Sequence, residues 1–98
     1  MISFYWHRRD DGPRHGVRWE LWSKYNAKHL GSCFYLPGSK RYLCRASAPV
    51  KDGVVLTEYR AGTAAAARKA LEQDWCKRSI GLFGEHDITF EVAQWVSV

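Results

Sequence analysis

Thr63-Ala-Ala-Ala-Ala-Arg-Lys-Ala-Leu-Glu-Gln-Asp-Trp-Cys-Lys-Arg-Ser-Ile80 is the one stretch of this 98-residue chain with the composition and spacing of a long α-helix. Alanine has the highest helix propensity, and its small side chain lets a helix lie close against a neighbouring sheet without overpacking. Thr63 can cap the free backbone N–H groups at the start, and Gly81 and Gly84 stop the pattern at the other end. Ala64, Ala67, Leu71 and Trp75, with Leu82 beyond them, fall within one stripe at helical spacing, while Arg68 and Glu72 begin a polar side. Leu71 and Trp75 are therefore expected to anchor the helix on a sheet. Asp74 and Arg78 stand four residues apart in the favourable order, and Lys77 and Arg78 complement the negative end of the helix dipole.

Both flanks of this helix read as strands. Upstream, Ser3 to Arg8 alternates with Phe4 and Trp6 on one face and Tyr5 and His7 on the other. A turn carrying Gly12, Pro13 and Gly16 follows. Val17 to Lys24 then alternates again, with Val17, Trp19 and Leu21 inward and Arg18, Glu20 and Lys24 outward, so the two segments form a hairpin. The segment from Asn26 to Gly31 reads as a short helical turn ending at the glycine. Cys33 to Leu36 and Lys40 to Ala46 make a second hairpin around Pro37-Gly38-Ser39, and Val54 to Tyr59 is a further strand after the Lys51-Asp52-Gly53 turn. Downstream, Asp87 to Val98 sets Ile88, Phe90, Val92 and Val96 against Thr89, Glu91, Ala93 and Trp95, as a half-buried strand that is either central or an edge covered on one face. No βαβ rhythm runs through this order. The expectation is an α+β fold: a mainly antiparallel sheet of about five to six strands with one Ala-rich helix packed across one face, in a single domain over residues 1–98.

The composition is 46% hydrophobic with 5 Trp, 5 Tyr and 4 Phe, too apolar and aromatic for a disordered regulator. Cys33, Cys44 and Cys76 include no Cys-x-x-Cys pair, so neither a closed disulfide framework nor a zinc ribbon is built from them alone, and reduced thiols in a cytoplasmic protein are the simplest account. The N-terminal run lacks a signal-peptide core, and no segment has the apolar length of a membrane span. The net charge of +5 is uneven: residues 1–49 hold nine Lys and Arg against three acidic side chains, and the remainder six against seven. Such a field either attracts anionic partners, nucleic acid or an acidic protein surface, or simply aids solubility.

Catalytic groupings are weak. His7, His15, His29 and His86 belong to no motif, and His7 with His15 across one turn lacks a third ligand for a metal. A nucleophilic pair of Cys33 or Cys44 with His86 would need a lowered thiol pKa and hydrogen-bond reach, whereas cysteines in strands are ordinarily small core residues. Gly81-Leu-Phe-Gly84 follows a helix, where a phosphate-cradling loop must precede one. No cofactor or metal site is expected.

What remains is a basic and aromatic constellation in the first half of the chain. Arg18, Trp22, Tyr35, Arg41 and Arg45 are the expected partner contacts, with Arg8 and Arg9 at their rim. Arginine and aromatic rings dominate protein interfaces and equally stack bases and neutralise phosphates. Trp22 falls on the outward face of its strand, and is either a contact residue or covered by a neighbouring loop or the helix.

Gly31, Tyr35 and Tyr42, the Ala61-Gly62-Thr63 approach, Ala67, Ala70 and Asp74-Trp-Cys-Lys-Arg-Ser-Ile80 together resemble small proteins of tailed phages and prophages, in which short strands lead into an Ala-rich helix. The resemblance covers about half the chain. Trp75, where tyrosine is usual, and the long terminal strand depart from the pattern. It implies a stoichiometric binder of host machinery, a class that includes anti-CRISPR proteins and other inhibitors of bacterial defence. The expected function is thus a non-enzymatic protein that occludes a host protein or ribonucleoprotein complex, the alternatives being a nucleic-acid-binding domain using the same sheet face and a virion structural or assembly component.

Overall fold

The alternating segments pair into one sheet. The computed structural model describes residues 2–10, 12–13, 16–24, 27–50, 53–83 and 88–93. The elements are β1 (Ile2–Asp10), β2 (Val17–Ser23), β3 (His29–Leu36), β4 (Arg41–Val50), β5 (Gly53–Ala61), α1 (Ala64–Phe83) and β6 (Ile88–Ala93). The first five strands form an antiparallel meander, and β6 returns to lie parallel to β1, giving the order β5-β4-β3-β2-β1-β6. This is the expected α+β architecture, with one parallel pair.

The register sorts side chains between two faces. Phe4 and Trp6, Trp19 and Leu21, Cys33, Cys44, Ala46 and Ala48, Thr57 and Tyr59, and Phe90 lie toward α1. Ala67, Leu71 and Trp75 of the helix are buried against them, as the helical stripe predicts. Thr63 caps α1: its Oγ1 accepts from the Ala66 N–H at 3.1 Å and its carbonyl from the Ala67 N–H. The helix continues through Gly81 to Phe83, so the glycine does not end it.

Buried indole nitrogens find partners, as they must in an apolar layer. Trp6 Nε1 donates to Glu72 at 3.0 Å, and Trp75 Nε1 approaches Thr57 Oγ1 at 3.5 Å. The Arg68 guanidinium carbon lies 3.9 Å from the centre of the Trp19 ring, a stacked cation–π contact inside the helix–sheet interface.

Trp75 also reports the curvature of the sheet. Its ring sits edge-on to Phe4 of β1 at 5.3 Å while its N–H points to Thr57 of β5. Those strands are four steps apart, about 19 Å in a flat sheet at roughly 4.8 Å per step. The sheet therefore curls about α1, over a floor of the small residues Gly31, Ala46 and Ala48, and its other face is convex.

The segment before Gly31 departs from the sequence reading. The helical turn expected over Asn26 to Gly31 is absent from the described part of that span: β3 begins at His29, which pairs with Trp22 beside an irregularity between Leu21 and Trp22. Cross-strand pairing overrides the local signal. Gly31 is needed for close approach, since a Cβ there would stand 2.2 Å from the Arg45 carbonyl oxygen and 2.5 Å from Ala46. Pro49 lies within β4, opposite Val54, although a strand end near Ala46 was expected. Of the terminal strand, Trp95 and Val96 lie outside the described residues.

Candidate functional site

No helix among the described residues lies over the convex face. Strand alternation places there Tyr5, His7 and Arg9 of β1, Arg18, Glu20 and Trp22 of β2, Ser32 and Phe34 of β3, Arg41, Leu43 and Arg45 of β4, and Glu58 and Arg60 of β5. Register arranges them in rows across the strands: Tyr5, Trp22 and His29; then His7, Glu20, Ser32, Arg45 and Glu58; then Arg9 beside Arg18, and Phe34, Leu43 and Arg60. Leu43 is buried although it faces away from the helix, between Phe34 and Arg60 in its row.

Glu20 is the centre of the first three strands. Only 7% of it is exposed, and its carboxylate is ringed by His7 Nδ1 at 3.6 Å, Arg18 Nη2 at 3.7 Å, Arg9 Nη1 at 3.9 Å and His29 Nε2 at 3.9 Å. One carboxylate thus lies between two arginines that would otherwise repel, with two histidine rings beside it. His29 in turn lies 5.0 Å from the Trp22 ring. Further along, Arg45 holds Glu58 through Nε at 3.0 Å and Nη2 at 2.9 Å, with Arg60 Nη2 at 3.9 Å from the same carboxylate, and Lys24 pairs with Glu91 at 2.9 Å. Acidic groups are outnumbered, so the face keeps a positive field, and its charges stand on strands rather than on loops.

The structure brings five of the seven expected contacts together: Arg9, Arg18, Trp22, Arg41 and Arg45 share the convex face. Trp22 is half-buried there, and the helix does not cover it. Arg8 and Tyr35 are on the other face. Arg8 pairs with Trp19, and Tyr35 leans on Tyr42 with ring centres 5.2 Å apart. The period of two already separates them from the others, giving Arg8 the parity of Phe4 and Trp6, and Tyr35 that of Cys33. Glu20, His29, Phe34, Leu43 and Arg60 complete the face without having been singled out for it; their membership depends on pairing between strands, which a linear pattern does not carry.

Cys33 and Cys44 face each other across β3 and β4 under α1, both fully buried as free thiols. Their mutual hydrogen bond splits the pair, pushing the Cys44 thiol up, as burial also does, and holding Cys33 down. His15 and His86 lie outside the described residues. Among the described residues no group of three or more side chains has the arrangement of a metal site, and no helix is long and apolar enough to cross a membrane. A shallow groove beside α1, lined by Lys69, Glu72, Gln73, Cys76, Lys77 and Phe90, is open to solvent. Burial and Glu72 raise the Cys76 thiol there.

A scan against protein-family models and searches of the curated proteins and of the solved structures found no match.

Proposed function

We propose that this chain is a non-enzymatic binding protein that docks its convex sheet face on an anionic surface of a host protein or ribonucleoprotein complex and acts by occlusion. A mobile-element origin, with anti-CRISPR or related anti-defence activity, is the setting that the sequence resemblance favours. The reading rests on one observation: Arg9, Arg18, Arg41, Arg45 and Arg60 project with Trp22 from a face that the helix leaves uncovered. Arginine and tryptophan are among the residues that contribute most at interfaces, and a strand-borne site needs no backbone ordering on binding. A convex cationic face suits a concave anionic cleft, and is unsuited to the basic channels in which such complexes hold nucleic acid.

The test is affinity purification from a bacterial lysate with the wild-type chain and an Arg41→Glu, Arg45→Ser double variant, both exposed positions. A defined host complex should be retained by the wild type and lost by the variant. Recovery of only chaperones and ribosomes, or equal recovery by the variant, refutes the proposal.

Direct nucleic-acid binding is the second reading, favoured by Tyr5 and Trp22 standing on one surface with Arg9 and Arg18, two rows away along β1 and β2. Five phosphate contacts on a single strand would lower affinity about 100-fold between roughly 50 and 200 mM salt. Gel shifts with single-stranded DNA and RNA at low salt decide it, and absence of any shift removes this reading.

A further inference from the structure

The outer edge of β5 differs from the rest of the surface. β5 is the last strand of the sheet, nine residues long, and pairs with β4 through Gly53 to Ala61 with no register shift. Its outward edge follows three consecutive apolar residues that remain exposed, Val54 at 70%, Val55 at 40% and Leu56 at 58%. Natural sheets protect edges with bulges, prolines, charge or shortness, because a bare row of N–H and C=O groups recruits another strand. β5 has no proline or bulge, and its charges, Glu58 and Arg60, sit in its second half. The opposite edge, β6, has six residues and carries the Glu91–Lys24 ion pair.

We propose that a second copy of this chain pairs antiparallel along β5, about a two-fold axis through Thr57. The choice of occupant follows from the strand's self-complementarity. With the axis at Thr57 the whole of β5 pairs with itself, setting Gly53 against Ala61, Val54 against Arg60, Val55 against Tyr59 and Leu56 against Glu58 of the second copy. β-branched and aromatic residues are favourable cross-strand neighbours, and the methylene stems of Arg60 and Glu58 cover Val54 and Leu56. An axis at Glu58 or Arg60 would oppose like charges directly, and one at Tyr59 would leave Val54, Val55 and Leu56 bare. The two sheets become continuous, and their convex faces join into one cationic surface. The proposal does not depend on what that surface binds.

Each chain carries a net charge of +5, so the copies repel at long range and added salt should strengthen the dimer. That is opposite to phosphate binding. Sedimentation equilibrium from about 5 to 300 µM covers the weak range of an interface smaller than the standard size. The wild type should rise toward twice its 11.3 kDa mass, more steeply at high salt, while a Val54→Lys, Leu56→Lys double variant stays at the single-chain mass. Val92→Lys, an exposed change on the other edge, should behave as the wild type. A wild type that stays monomeric throughout, or a double variant that assembles equally well, overturns the proposal. Amide hydrogen exchange needs no variant: protection across residues 53–61 should grow with wild-type concentration, and protection that does not change overturns it as well.

Discussion

Replacing Gly31 by alanine would force apart the two strands at the middle of the sheet. The new methyl carbon would stand 2.2 Å from the Arg45 carbonyl oxygen and 2.5 Å from both Cα and Cβ of Ala46, where carbon contacts relax at about 3.5 Å. β3 and β4 must therefore separate by about 1 Å, at a place where the obstacle is backbone and no flexible side chain can yield. Overpacking of a dense core costs about 1–3 kcal/mol, and a backbone obstacle puts this site at the upper end. The smaller entropy of the unfolded alanine chain offsets about 0.4–1 kcal/mol, leaving a loss of about 2 kcal/mol. For a domain of this size that corresponds to a fall in Tm of roughly 8–16 °C. Thermal melts and urea titrations followed by circular dichroism measure it, with Gly38→Ala as the control, since a Cβ at that turn position meets nothing within 4 Å. A Gly31→Ala protein that melts with the wild type would show that β3 and β4 do not approach as described.

Arg68→Ala should lower the urea-derived stability by about 1–2 kcal/mol, because it removes a guanidinium stacked on Trp19 within the helix–sheet layer; an unchanged midpoint would make that stack incidental. Asp74 gives a pH dependence. Burial alone would raise its carboxyl, but hydrogen bonds from the Tyr59 hydroxyl and from Arg78 outweigh that and hold it below the usual carboxylate range. A lowered folded pKa means stability present above the unfolded value, about 3.9, and lost as pH falls through the folded one. Asp74→Asn should thus cost about 1–2 kcal/mol at pH 7, and the gap from wild type should close as melts are taken from about pH 4 toward pH 2; a gap of constant size would assign the loss to packing.

Local pattern and strand pairing divide what could be read from the chain. The Thr63 cap, the Leu71 and Trp75 anchors, and the alternation of Phe4 with Trp6 and of Ile88 with Phe90 are properties of short windows, so their burial partners could be anticipated. His29 and Gly31 could not be placed in this way. A helix-stop glycine and a glycine that lets two strands touch look alike until the facing Arg45 and Ala46 are known. The same holds for Glu20, which reads as one solvated outward charge and is buried because β1 and β3 bring His7, Arg9 and His29 around it. Arg8 and Arg9 show the reverse case: neighbours in sequence cannot share a strand face, and grouping them by charge alone hid a distinction that the pleat makes.

The pairing of β6 with β1 bears on how the molecule is made. Ser3 and Thr89 share a hydroxyl hydrogen bond at 2.9 Å across 86 positions of chain, and all of β6 aligns on β1. Vectorial synthesis can zip the five-strand meander from its first hairpin onward, since each partner there is a sequence neighbour. The flank of β1 must wait until residues 88–93 have been added, well after β5 is complete, at about 5–20 residues per second, so the nascent meander carries a second naked border for several seconds. Closure of that border is a late, long-range step, and a chaperone or a stray strand has its opportunity there before the sheet seals itself.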